Sequence, residues 1–115
     1  MIPEEGYLLR IFIGESDKMD GRPLYEWLVN QAKSRGMAGA TVLRGMMGFG
    51  AHTKIIHTFK IERLSEDLPI VVEIVDSKEK IEDFLAFAEN RIKRGMLATT
   101  EKVQVRVYRG GEVNK

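Results

Sequence analysis

The chain has 115 residues, of which 43% are hydrophobic and 30% charged, and carries a formal net charge of +1. That length supports one core and not two, so residues 1–115 form a single domain, and no apolar run reaches the ~18 residues of a membrane span. A charge so near zero gives no long-range field for nucleic acid, and the absence of cysteine excludes disulfides, thiolate metal sites and thiol nucleophiles together.

Residues 7–14 (YLLRIFIG) are rich in β-branched and aromatic side chains and predict a strand. Residues 22–35 predict a helix: Pro23 suits its first turn, Asp20 is a candidate cap, Leu24, Trp27, Leu28, Gln31 and Ala32 share one face, and Gly36 stops it. A second strand spans 39–47, and residues 54–64 (KIIHTFKIERL) alternate unevenly as a further extended segment or hairpin arm. Residues 69–75 (PIVVEIV) form a third strand. Asp76-Ser77-Lys78-Glu79 then has capping-box character, and Ile81, Phe84, Leu85, Ala88 and Ile92 make an apolar helical stripe ending at Gly95. Residues 102–108 (KVQVRVY) close the pattern as an alternating strand, with 110–115 a loose tail.

This order predicts an α+β protein: a ferredoxin-like βαββαβ sandwich with an antiparallel sheet and a long loop or hairpin between the second and third core strands. Tyr7, Leu9, Ile11 and Ile13, with Ile70, Val72 and Ile74 and with Val103, Val105 and Val107, are apolar and should face the helices. The other face mixes Leu8, Phe12, Val71 and Val75 with Arg10, Glu73, Lys102, Gln104, Arg106 and Tyr108. Water suits the first group badly and a monomer core suits the charges badly, so a homo-oligomer packed through this face is expected.

Four of the chain's 11 glycines fall within residues 39–50. A strand ending in Gly48-Phe49-Gly50 has given up stability for backbone shapes that a Cβ would forbid, and such a corner can aim several N–H groups at an anion. A bulged hairpin corner without a ligand accounts for the same residues.

Gly-x-Thr-Val-Leu-Arg-Gly at 39–45, Gly-Phe-Gly at 48–50, Leu-Pro-Ile-Val-Val-Glu-Ile-Val-Asp at 68–76 and Arg109-Gly-Gly111 together resemble the family called domain of unknown function 190, within the wider PII-like signalling group. The resemblance covers nearly the whole chain. It implies a homotrimer, an adenine nucleotide (ADP foremost, otherwise AMP or ATP) in the cleft between subunits, and a regulatory role without catalysis. It also implies a partner protein engaged through residues 51–56; no metal is expected, because the chain departs from the PII pattern. Residue by residue, Thr41 resembles a threonine near the base, and Gly48, Phe49 and Gly50 resemble the loop entrance beside ribose and phosphate. Glu73 and Val75 resemble residues bordering the base, Gly95 resembles a phosphate-side glycine, and Arg109 resembles an arginine that pairs with phosphates across the subunit boundary. Met96 stands where the PII pattern has a phosphate-binding lysine, and Ala51-His52 where it has a basic residue and a glutamine. Arg94, Arg91 or Arg106 is the candidate replacement for the missing charge.

Two other classes compete. Ile11-Phe12-Ile13-Gly14 and Gly48-Phe49-Gly50 resemble the aromatic motifs of a single-stranded RNA-recognition module, although no second aromatic follows Gly50 at the required spacing. A small metal-dependent enzyme would rest on His52 and His57, the chain's two histidines, with Glu62 or Asp67 as companions. Trp27 lies on the helical apolar stripe and reads as core. Met46 and Met47 read equally as core filling or as the wall of an adenine pocket. The opening residues 1–6 lack the basic start and apolar run of a signal peptide, from which a cytoplasmic location is expected.

Overall fold

Tyr7, Leu9, Ile11 and Ile13 make one side of a strand wholly apolar, and that strand lies inside the sheet, paired on both edges. The computed structural model describes residues 5–50 and 67–110. In chain order these form β1 (Glu5–Gly14), β2 (Lys18–Met19), β3 (Arg22–Pro23), α1 (Leu24–Ser34), β4 (Thr41–Arg44), β5 (Pro69–Asp76), α2 (Lys78–Arg91) and β6 (Leu97–Gln104). The sheet order is β4-β5-β1-β6 with every neighbouring pair antiparallel. That order, with two helices on one face, is the expected α+β ferredoxin-like architecture. The extended segment at 54–64, both histidines and residues 51–56 lie outside the described residues.

The core lies between the helices and one sheet face. Leu9, Ile11 and Ile13 of β1 and Ile70, Val72 and Ile74 of β5 meet Leu24, Leu28 and Ala32 of α1 and Ile81, Phe84 and Ala88 of α2, all buried. Each strand contributes alternate residues and each helix residues three or four apart, the two periods that place side chains on one face. Trp27 is partly buried against this core and stacks on Phe87, with ring centroids 5.5 Å apart, while Arg35 and Arg91 lie over the two rings.

The ends of the elements depart from expectation in instructive ways. Asp20 does not cap α1; it occupies the turn of the β2–β3 hairpin with Gly21, at φ 54° and 81°, the backbone pair of a tight two-residue hairpin. Pro23 therefore stands at the helix cap position in extended conformation without a side-chain cap, and the Leu24 N–H donates to the Asp17 carbonyl at 2.7 Å. At α2 the cap falls one residue later than the Asp76–Glu79 pattern suggested: Ser77 is the cap and its side chain accepts from the Lys80 N–H. Asp76, 3% exposed, accepts from Ser77 N–H at 2.7 Å and from Ala38 N–H at 2.9 Å, tying the α1–β4 connection to the start of α2.

The last strand is the main correction. It spans Leu97–Gln104, earlier than 102–108, and pairs Gly6 with Val103, Tyr7 with Lys102 and Ile11 with Ala98. Val103 therefore lies on the open face with Leu8, whereas Ala98, Thr100 and Lys102 share the helix side with Ile11, Leu9 and Tyr7. Val107 is 63% exposed. An edge strand needs little apolar surface toward the helices, so alternation among Val103, Val105 and Val107 did not identify its buried side.

Candidate functional site

The sheet face away from the helices carries Leu8, Arg10 and Phe12 of β1, Thr41 and Leu43 of β4, Val71, Glu73 and Val75 of β5, and Leu97, Thr99, Glu101 and Val103 of β6. Its charges are paired within the chain. Arg10 donates through Nε to Glu73 at 3.0 Å and through Nη1 to Glu101 at 3.2 Å. The hydrogen bond to Glu73 raises the Arg10 pKa above its ordinary value, against an opposing desolvation and with help from Glu101. Around this ionic centre Phe12, Leu43 and Leu97 remain 36%, 48% and 55% exposed, an apolar margin on the side away from α1 and α2.

One end of this face holds the glycine corner. After Arg44 the strand stops, and the Gly45 N–H donates to the Pro69 carbonyl at 2.8 Å. A Cβ on Gly45 would stand 2.8 Å from Pro69 Cγ, and one on Gly48, at φ 154°, 3.2 Å from it, so the chain rounds Pro69 only with glycine. This brings Gly48, Phe49 and Gly50 beside Phe12, Gly14, Asp17, Asp67, Gly95 and Leu97 around a groove of about 130 Å³. Phe49, Met46 and Met47 are 75%, 94% and 80% exposed, so neither methionine fills the core.

A second recess lies farther along the same face. It joins Thr41, Glu73 and Val75 to residues 38–40 and to the segment after β6, through Val105, Val107 and Tyr108. The Tyr108 hydroxyl approaches the Ala38 carbonyl at 3.4 Å, and the exposed Arg106 and Arg109 flank it on the same segment. Between Pro69 and Asp76 β5 runs roughly 23 Å, so the Arg106–Arg109 segment and the glycine corner occupy opposite ends of one subunit.

Of the ten anticipated residues, the structure thus brings Gly48, Phe49, Gly50 and Gly95 together in one groove and Thr41, Glu73 and Val75 in the other recess. Arg106 and Arg109 stand near the second cluster. Arg94 joins neither: it is exposed on the far side of Asp17, in a shallow surface with Lys18, Arg91 and Lys93. Met96 packs against the core. Sequence reasoning missed Asp17 and Asp67 as walls of the first groove. The signal was Gly14, a strand-end glycine four residues after Arg10, whose missing side chain leaves room for both carboxylates. Among the described residues no cluster of three or more metal-ligating side chains exists, and no helix is long and apolar enough to cross a membrane. Phe12 stands opposite Val71 and Leu97 on the neighbouring strands, and Phe49, the other aromatic of the RNA-recognition resemblance, lies beyond the end of β4 at the glycine groove and not on a neighbouring strand.

Known proteins agree with this architecture. The family model described as "Uncharacterized ACR", domain of unknown function 190, matches residues 6–105. The chain belongs to this family. A UPF0166 protein of Aquifex aeolicus is 46% identical over 98 residues, covering 85% of this chain and 90% of that one. A UPF0166 protein of Methanocaldococcus jannaschii is 35% identical over 104 residues, covering 90% and 92%. Among solved structures, a protein of Thermus thermophilus described as a PII-like signaling protein superposes with a TM-score of 0.63 at 20% identity, covering 91% of this chain and 93% of that one. CPII of Thiomonas intermedia, determined with ADP, AMP and acetate bound, superposes with a TM-score of 0.60 at 17% identity, covering 88% of each. The fold is therefore PII-like.

Proposed function

We propose that the protein is a cytoplasmic PII-like regulator, without catalysis of its own, that binds an adenine nucleotide between the subunits of a homotrimer. The observation carrying this reading is that the anticipated residues fall into two incomplete half-sites at different places on one open face. The glycine groove is lined by the Gly48–Gly50 backbone, yet its 130 Å³ is well below the ~300–1,000 Å³ of a typical ligand pocket, and no described cation lines it. The other half-site offers Thr41, Glu73 and Val75 with Arg106 and Arg109 close by. Packing one subunit's second half against its neighbour's first supplies what each lacks: an apolar border for the base, and guanidinium groups for the phosphates. Arg109 takes the phosphate-pairing role, and Arg106 is the second candidate. Arg94 is kept only as a comparison because it stands outside both recesses. The same packing covers Phe12, Leu43 and Leu97.

ADP is the favoured ligand, a choice supported by the nucleotides bound to the structural neighbour CPII. The role of residues 51–56 toward a partner protein rests on the family resemblance alone. Isothermal titration with AMP, ADP, ATP and adenosine, alongside light scattering, tests the proposal. Saturable ADP binding by a trimer is the expected result; no heat with any nucleotide up to millimolar concentration would leave only the fold.

A further inference from the structure

The wall of the glycine groove works against a long phosphate chain. Asp67 Oδ1 accepts from the Ser16 N–H at 3.0 Å and from the Ser16 hydroxyl at 2.8 Å. It lies so close over Gly14 that a Cβ there would stand 2.9 Å from the same oxygen. Two donors and this close packing hold the carboxylate in place. Asp17, whose Oδ2 accepts from the Gly14 N–H at 2.9 Å, adds a second carboxylate to the lining, and no described cation lines the groove.

We propose that Asp67 is a specificity-determining residue that limits the groove to short phosphate chains, favouring nucleoside mono- and diphosphates over triphosphates. This rests on the nucleotide reading above. Among the described residues no cation and no side-chain donor lines the groove, so each added phosphate brings negative charge beside a carboxylate that Ser16 holds in place. Repulsion therefore grows with chain length, in a groove where solvent screens less than in bulk.

Asp67→Asn removes the charge and keeps an oxygen to accept from Ser16. Titrating both proteins with AMP, ADP and ATP, without divalent cations and at low ionic strength, gives the test. The native protein is expected to bind ADP at least as tightly as ATP, and Asp67→Asn to raise ATP affinity roughly tenfold with a smaller gain for AMP. In the native protein, added salt should narrow the gap between ADP and ATP, a result that needs no variant to fold. Ser16→Ala keeps the charge and the backbone donor but removes the hydroxyl donor, and should shift the ratio far less than Asp67→Asn. A native preference for ATP, an equal shift of all three ligands by Asp67→Asn, or a Ser16→Ala variant that mimics it would overturn the proposal while leaving nucleotide binding intact. No binding of any nucleotide by either protein would overturn the nucleotide reading itself and this inference with it.

Discussion

The two faces of one sheet obey different rules. Toward the helices, β1 and β5 present Leu9, Ile11, Ile13, Ile70, Val72 and Ile74, each 6% exposed or less, and the helices answer with Leu28, Ile81 and Phe84. Toward the other side the same strands present Arg10 and Glu73 in an ion pair, ringed by apolar residues that stay partly open. The first face is covered by α1 and α2; the second is organised by its ion pairs and, among the described residues, carries no such layer. On the proposed function, stability resides on one side and recognition on the other. Substitutions should separate them.

The largest effect belongs to the covered face. Phe84→Ala removes a ring that is 1% exposed and should lower the unfolding free energy by about 3–5 kcal/mol in urea denaturation. On the open face, Leu43→Ala should leave the secondary structure unchanged while weakening each subunit contact by about 1.5–3 kcal/mol, seen as a shift from trimer to monomer mass on dilution. If Phe84→Ala changed mass without changing stability, or Leu43→Ala the reverse, the division between the faces would be wrong.

Asp76 sharpens the comparison because it is polar yet lies on the covered side. Asp76→Ala leaves the Ala38 N–H without its acceptor and should cost about 1–3 kcal/mol by the same denaturation measurement. The smallest effect is expected outside the helices, where Arg35 lies 3.6 Å from the Phe87 ring centroid. Arg35→Ala should cost about 0.5–1 kcal/mol and leave assembly untouched.

Much of the covered face was legible in the sequence because burial imposes a period. Residues 7–13 and 69–75 are rich in β-branched and aromatic side chains with every second one apolar, Ile81, Phe84 and Ala88 recur at helical spacing, and these settled β1, β5 and α2 to within a few residues. β6 was misplaced because an edge strand is buried weakly on both sides. Its helix-facing residues, Ala98, Thr100 and Lys102, carry no apolar signal, while Val103 and Val105 do and face the other way. Asp20 misled for a related reason: Asp before Gly suits a helix cap and a hairpin turn alike, and only pairing of Lys18 with Pro23 decides between them. At the candidate site, Gly48–Gly50 was legible through its backbone demand. Asp67 was not legible as a groove wall, because its meeting with Ser16 and Gly14 is a tertiary contact with no local pattern.

The central claim is that each nucleotide site is completed by two subunits, and a mixing experiment tests it most directly. Phe49→Ala damages the glycine half-site and Arg109→Ala the guanidinium half-site, so each pure variant should bind ADP weakly. Subunits of the two are then dissociated, combined in equal amounts and reassembled. If the halves come from different chains, about a quarter of the clefts in random trimers regain two intact halves, and tight ADP binding should reappear at that fraction of sites. Reassembled trimers with no recovered tight binding would contradict the account and place both halves of the site within one chain.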